Sequence, residues 1–270
     1  MKFTILGSTG FIGSSITNYL KSQAIECDTL DLRTDKINEK SLGHVLYAIG
    51  VGDFIKRPFD AVTAHVCELQ KILTKCKFDS FLYFSATRMY YKSNTTKETD
   101  PIITNPLDTN DLYAISKVMG ESLCMSINNK NIRSIRLSNV SGDNFNSSFF
   151  LPSIIRDAVT KNKISIHTTL NSKKDYIHIN DVLKIIPEIS LRGKYRIYNV
   201  ASGMNTKNSE IIDKLKELIN FQLEISPNSK EYFFPNISID RIIDEFGFKP
   251  TPILDTLEDM VSSFKNYFSH

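Results

Sequence analysis

Lys2-Phe3-Thr4-Ile5-Leu6-Gly7-Ser8-Thr9-Gly10-Phe11-Ile12-Gly13 is the stretch that decides the fold. Its first five residues form a short apolar run, as a buried strand requires. From Phe11 the pattern turns helical, with Ile12, Ile16 and Tyr19-Leu20 on one face. Gly7, Gly10 and Gly13 therefore stand at three-residue spacing between a strand and a helix. That context turns a weak glycine pattern into a dinucleotide-binding signal. Gly7 permits a tight turn, Gly10 lets backbone N–H groups approach a pyrophosphate, and Gly13 lets the helix lie close on the sheet. The phosphates would sit at the helix N-terminus, where unpaired N–H groups and the peptide dipoles favour negative charge. Taken alone, the glycines also fit a strand-to-helix turn that holds no ligand.

The rest of the composition is unexceptional. A chain of 270 residues suits one large domain, or a domain with a lobe. Its 33 basic and 30 acidic residues leave a net charge of +3, spread along the chain. No basic stripe argues for a nucleic-acid partner. Cys27, Cys67, Cys76 and Cys124 form no CxxC pair, so buried free thiols in a reducing compartment are expected, with no metal site. No apolar run reaches membrane-spanning length, and the N-terminus reads as a strand rather than a signal peptide. A cytoplasmic protein is expected.

Past the helix at 11–22, Glu26 to Asp31 reads as a second strand. Asp31 lies 18 residues beyond Gly13, where an acidic residue in a dinucleotide fold accepts hydrogen bonds from the adenosine ribose. Its charge would repel a 2′-phosphate and favour NAD, whereas Arg33 would accommodate NADP; both stay open. Only a short turn or a one-turn helix fits before the next strand, 44–50, whose end (Ala48, Ile49, Gly50) would lie beside the cofactor. Val62, Val66, Leu69 and Leu73 predict a helix from Pro58 to Lys75. A buried strand at 80–85 and a surface loop at 93–110 follow. Asn110-Asp111 is expected to cap a helix from about 112 to 127. Strands are predicted at 132–140, 164–166, 176–179 and 195–200. Helices are predicted at 149–161, from Asp181 to about 189, and at 208–218, 240–246 and 255–267. Strands alternating with helices predict an α/β fold with a doubly wound parallel sheet. The last seventy residues read as mostly helices and loops, a lobe over the C-terminal edge of that sheet.

Tyr113 and Lys117 stand four apart on the predicted 112–127 helix. Four residues make about 400° of rotation and roughly 6 Å of rise, so the two share a face. A nearby ammonium, together with the positive ring of a nicotinamide, would favour the phenolate of a tyrosine that otherwise titrates near 10. Such a phenol can exchange a proton with a sugar hydroxyl while hydride moves at a nicotinamide. The plain alternative is an i,i+4 pair on a solvated helix.

Five segments occur in order: Gly7-x-x-Gly10-x-x-Gly13 with Asp31; Ser85 on its strand with Tyr113-x-x-x-Lys117; Arg136-Leu137-Ser138-Asn139-Val140-Ser141-Gly142; Lys174-Asp175-Tyr176-Ile177-His178; and Tyr198-Asn199-Val200-Ala201-Ser202-Gly203. Together they resemble the extended branch of the short-chain dehydrogenase/reductase superfamily, the NAD-dependent epimerase/dehydratase family, which acts mostly on nucleotide-activated sugars. The resemblance covers nearly the whole chain. It implies a Rossmann domain of residues 1–143 plus about 164–200, and a substrate-binding lobe of about 144–163 plus 201–270. It further implies that Gly7, Gly10, Phe11, Ile12 and Gly13 hold the pyrophosphate of NAD, that Asp31, Leu32 and Arg33 meet the adenosine ribose, and that Ala48, Ile49 and Gly50 line the cofactor. Tyr113 would be the acid/base and Lys117 would bind the nicotinamide ribose. Asn139 and Lys174 would meet the diphosphate of a nucleotide-sugar substrate, with Arg88 and Phe150 also at the substrate. A homodimer through helices 58–75 and 112–127 is implied as well.

Two departures stand out. In Phe84-Ser85-Ala86-Thr87-Arg88-Met89, the family's catalytic Ser or Thr falls on Ala86. Ser85 or Thr87 would have to substitute, yet neighbouring strand residues point to opposite faces. His65 stands where the family's helix usually carries asparagine, and as a lone helix histidine it reads as structural. Thr87-Arg88 replaces the acidic pair of the dehydratases, which leaves epimerisation or keto-sugar reduction, as in surface-polysaccharide synthesis. The competing expectation, motivated by Ala86 and His65, is a non-catalytic dinucleotide sensor or partner-binding protein that keeps the fold.

Overall fold

The computed structural model describes residues 1–34 and 41–269. Strands run at Lys2–Leu6 (β1), Glu26–Leu30 (β2), His44–Tyr47 (β3), Ser80–Ala86 (β4), Ile132–Leu137 (β5), Asn139–Ser141 (β6), Lys163–Thr168 (β7), Lys173–His178 (β8), Ile197–Val200 (β9), Asn205–Lys207 (β10) and Gln222–Lys230 (β11). Helices run at Phe11–Ser22 (α1), Pro58–Val62 (α2), Glu68–Lys75 (α3), Leu112–Ser126 (α4), Phe150–Lys161 (α5), Ile179–Arg192 (α6), Asn208–Leu218 (α7), Asp240–Phe246 (α8) and Leu257–Phe268 (α9). The connection expected to be a short turn between Asp31 and His44 lies largely outside the described residues.

The chain divides into two units. The first comprises Met1–Leu137, Leu183–Val200 and Ser238–Phe248. Its sheet has the order β2-β1-β3-β4-β5-β9, with every neighbouring pair parallel. Parallel strands covered on both faces read as near-continuous apolar runs, and β4 and β5 are buried almost throughout. On one face Val45, Tyr47, Phe81 and Tyr83 pack with Leu69 and Ile72 of α3 and Cys124 of α4. Each such side chain contributes on the order of 1.5–3 kcal/mol on burial. Because β1 lies between β2 and β3, the connections leave it in opposite directions. Such a switch point, beyond the carboxyl ends of the strands, is where open α/β sheets bind ligands. Gly7 and Ala48 stand there, and Ala48 N–H donates to the Leu6 carbonyl at 2.8 Å.

The second unit comprises Ser138–Val182, Ala201–Ile237 and Lys249–His270. It holds a β10-β8-β6 sheet and a β11-β7 pair. Leu151, Ile155, Ile164, Ile166, Leu215 and Phe264 belong to its core. The strands β7 and β8, expected to continue the first sheet, pair among the described residues with strands of this unit.

Local differences from the sequence reading have identifiable causes. The single strand expected over 132–140 breaks at Ser138: β5 joins the first sheet, while β6 pairs with β8. The predicted helix from Pro58 to Lys75 is interrupted by a π-helical turn at Thr63–Cys67. The last seventy residues carry two strands, β10 and β11. Asp111 does not cap α4. Its backbone is already helical, and its carboxylate takes Lys92 Nζ at 2.7 Å and Asn105 N–H at 2.8 Å. Asp181 sits inside the first turn of α6 and accepts from Thr251 N–H at 2.7 Å. The cysteines are free, but only Cys124 is buried; Cys67 is exposed. Among the described residues no helix is long and apolar enough to cross a membrane.

Candidate active site

The glycine loop is built by close approach. Gly7 adopts φ +89°, and a Cβ there would lie 2.8 Å from the backbone of Ala48 and Ile49. At Gly13 a Cβ would stand 2.1 Å from the Gly7 carbonyl oxygen, so only glycine lets α1 start against the loop. Gly10 occupies the N-cap of α1 without a side-chain cap, and the first turn carries no acid. The amides of Phe11, Ile12 and Gly13 thus begin a twelve-residue helix whose terminus suits an anion.

Asp31 follows β2, and its carboxylate is clasped by Arg33. Arg33 Nε donates to Oδ1 at 2.9 Å and Nη2 to Oδ2 at 2.6 Å. That guanidinium holds the Asp31 carboxyl down at about 2. The two residues proposed to choose between NAD and NADP are therefore tied to each other. Leu32 is half-buried and packs on the core of the first unit rather than standing open.

At the end of β3, Gly50 opens toward α4. A Cβ on Gly50 would come 3.7 Å from His65 Nε2 and 3.9 Å from Lys117 Nζ. The spacing of Tyr113 and Lys117 does place both on one face of α4. Lys117 is 4% exposed and donates to the Phe84 carbonyl of β4 at 2.7 Å. Burial pushes its ammonium down to about 7, with Glu121 pulling weakly the other way. The Tyr113 ring packs edge-on to His65 at 5.4 Å and tilted on Phe54 at 4.8 Å. The Lys117 charge by itself does not lower Tyr113. Burial pushes the phenol up to about 12, and the charge that draws it back is Arg88. Desolvation outweighs a single cation when the phenol is enclosed.

His65 is fully buried on the π-helical turn, a feature often found at functional sites. Its Nδ1 meets Ser116 Oγ at 2.9 Å, and that hydroxyl donates its own hydrogen to the Tyr113 carbonyl. With the Ser116 hydrogen on the Tyr113 carbonyl, Nδ1 is the protonated nitrogen and Nε2 is a bare acceptor. No group of the protein satisfies Nε2 among the described residues. Burial, then the Lys117 charge, hold the ring neutral with a pKa of about 2. The sequence reading of His65 as structural missed this open lone pair; Phe54 gave no signal in the sequence at all.

Ser85, Ala86 and Thr87 end β4. Ser85 Oγ is buried and has no hydrogen-bond partner among the described residues. Ala86 is half-buried, and Thr87 opens the 3-10 turn Thr87–Tyr90 that carries exposed Arg88. Behind α4 a buried pair fixes the helix to the sheet: Arg136 Nη2 donates to Glu121 at 2.7 Å, and Arg136 also reaches the Tyr90 hydroxyl. Asn199 completes this support, accepting from Tyr90 at 3.0 Å and donating to the Thr96 carbonyl at 2.7 Å.

In the second unit, Asn139 and Lys174 lie on the neighbouring strands β6 and β8. The Asn139 amide donates to the Asp175 carbonyl at 2.8 Å, so its nitrogen already anchors β8. Phe150 starts α5 and packs on the unit's core, which accounts for its apolar character without a ligand. A glycine cradle that Cβ atoms would fill, an uncapped helix terminus, small residues at the end of β3 and an orphaned buried acceptor together fit a dinucleotide. Among the described residues no cluster of His, Cys, Asp or Glu would hold a metal ion.

Comparison with known proteins gives a consistent picture. Residues 50–201 match the sequence profile described as the NAD dependent epimerase/dehydratase family. A UDP-glucose 4-epimerase from Mycoplasma genitalium is 21% identical over 335 residues, covering 100% of this chain and 96% of that protein. A GDP-6-deoxy-D-mannose reductase from Pseudomonas aeruginosa is 24% identical over 253 residues, covering 82% of this chain and 81% of that protein. RMD from Pseudomonas aeruginosa, solved with NADPH, shares the fold at a TM-score of 0.77 and 20% identity, over 98% of this chain and 100% of that chain.

Proposed function

Because the chain belongs to the NAD-dependent epimerase/dehydratase family, we propose that it catalyses oxidoreduction at a nucleotide-activated sugar, as an epimerase or a keto-sugar reductase, with NAD or NADP. The observation that carries this reading is the pairing of Tyr113 and Lys117 on one face of α4, with Lys117 Nζ beside the open side of Gly50. The first unit would hold the dinucleotide: the Phe11–Gly13 amides on its pyrophosphate, Asp31 or Arg33 on its adenosine ribose. Asn139 Oδ1 and Lys174 of the second unit would meet the substrate diphosphate. Bound cofactor supplies a hydride donor or acceptor. Lys117 would orient a ribose hydroxyl, and His65 Nε2, held as an acceptor, would receive a hydrogen bond from the same ligand. Tyr113 rests as the neutral phenol, so it starts as the proton donor that reduction of a keto sugar requires.

Exposed Phe59 on α2 and Met119 on α4 support the homodimer implied by resemblance. A cytoplasmic place in surface-polysaccharide synthesis is part of the same proposal. The test is NAD(P)H absorbance with UDP-, GDP- and dTDP-sugars for the protein and for Tyr113→Phe. Turnover should fall by about 10²–10⁴-fold while cofactor binding persists. Undiminished turnover in that variant would refute the role.

A second reading, a dinucleotide sensor without turnover, is favoured by Ala86, which offers no hydroxyl at the end of β4. It predicts cofactor binding with no sugar turnover. A large gain on Ala86→Ser would point instead to a catalytic site with a missing group.

A further inference from the structure

Arg88 is exposed in the turn after β4, with its guanidinium carbon 5.2 Å above the Phe54 ring. Phe54 in turn packs on Tyr113. Among the described residues no ion pair or hydrogen bond occupies the Arg88 side chain. The acids on neighbouring segments are engaged elsewhere: Asp53 with Lys56 at 3.4 Å, Asp60 with Arg57 at 2.7 Å, Asp108 and Asp111 with Lys92 at 2.8 and 2.7 Å, and Glu121 with Arg136 at 2.7 Å. Arg88 is thus an exposed cation that no acid of these segments pairs with among the described residues. A guanidinium laid on an aromatic face keeps its N–H edge for a planar acceptor, and a carboxylate matches that fork with two parallel hydrogen bonds. A sugar hydroxymethyl offers neither the charge nor the second oxygen. Phe54 thus stands between the guanidinium and the proposed acid/base, with Arg88 at 5.2 Å and Tyr113 at 4.8 Å from its ring centre, and the Arg88 charge acts on the Tyr113 phenol.

We propose that Arg88 recognises a carboxylate on the sugar ring, so that the substrate is a nucleotide-activated uronate; this rests on the nucleotide-sugar reading above. The test is calorimetric titration of the NAD-loaded protein with two matched pairs, UDP-glucuronate against UDP-glucose and GDP-mannuronate against GDP-mannose. Within each pair the diphosphate is constant and only the carboxylate differs. The uronate of at least one pair should bind about ten- to a hundredfold more tightly, the range expected for a charged hydrogen-bonded contact. Arg88→Gln should bring the ratio close to one by weakening the uronate, and Arg88→Lys should retain only part of it, keeping the charge without the fork. Because Arg88 is exposed, both variants are expected to fold, which circular dichroism checks.

Equal or weaker binding of the uronates overturns the proposal. So does an equal loss for both members of a pair in Arg88→Gln, which would put Arg88 on the diphosphate. If a neutral sugar binds and turns over with no preference for its uronate, the nucleotide-sugar reading stands and only the carboxylate falls. If NADH binds but no nucleotide sugar does, both fall.

Discussion

Replacing Lys117 with methionine should make the protein more stable and inactive at once. The buried ammonium drops from 10.5 to about 7 because the fold desolvates it. At roughly 1.4 kcal/mol per tenfold, that difference sets a cost of about 5 kcal/mol for keeping Lys117 charged in the folded state. The sign follows from proton counting. A folded-state value below the unfolded one means that the unfolded chain binds more protons between about pH 7 and 10.5. The cost is therefore fully present below pH 7 and fades as pH rises toward 10.5. Methionine has similar length and no charge. It forfeits the hydrogen bond to the Phe84 carbonyl, worth about 1 kcal/mol, more while the lysine is charged. The net gain at pH 6 is expected to be about 2–4 kcal/mol, or a Tm rise of roughly 5–10 °C. Thermal and urea unfolding of both proteins at pH 6, 8 and 10 measures it. The advantage of Lys117→Met should shrink steadily with pH. A variant less stable at pH 6, or a difference that ignores pH, would refute the reasoning.

Three further outcomes are expected. Gly13→Ala forces a Cβ to 2.1 Å from the Gly7 carbonyl, so α1 must move; unfolding curves should show a loss of about 1–3 kcal/mol, and NADH fluorescence titration little or no binding. Glu121→Ala strands Arg136 in a 4%-exposed site, and urea denaturation should report a loss of about 3–5 kcal/mol. Asp31→Ser releases Arg33 from its carboxylate, and the ratio of NADP to NAD affinity should rise by about tenfold or more in competition titrations.

What could be read from the sequence was whatever local pattern dictates. Gly7 and Gly13 mark the β1–α1 junction because backbone contact there excludes any Cβ, and the helix boundaries at Phe11 and Ser22 follow from apolar spacing. Tyr113 and Lys117 share a face by helical geometry alone. What escaped depends on tertiary surroundings. β11 contains Pro227 and Asn228 and shows no two-residue alternation of burial, so nothing marked it as a strand. The break at Ser138 is invisible because Leu137 and Asn139 are both extended and differ only in their partners. Asp111 resembled a helix cap, but Lys92, nineteen residues earlier, claims its carboxylate. Tyr113 rises instead of falling because its enclosure by Phe54 and His65 is set by distant segments. The unpartnered Nε2 of His65 appears only once the packing around the imidazole is seen.

The widened turn at Thr63–Cys67 carries one residue more than the regular spiral around it would hold. That surplus residue sets the direction in which the imidazole at 65 is presented. Excising Ala64 would let the coil close to ordinary pitch with its two flanks nearly in phase, because the wide turn is what absorbs the surplus residue. The angle at which this imidazole leaves the helix is thus coupled to residue count within a single turn, whereas the composition of the site is not.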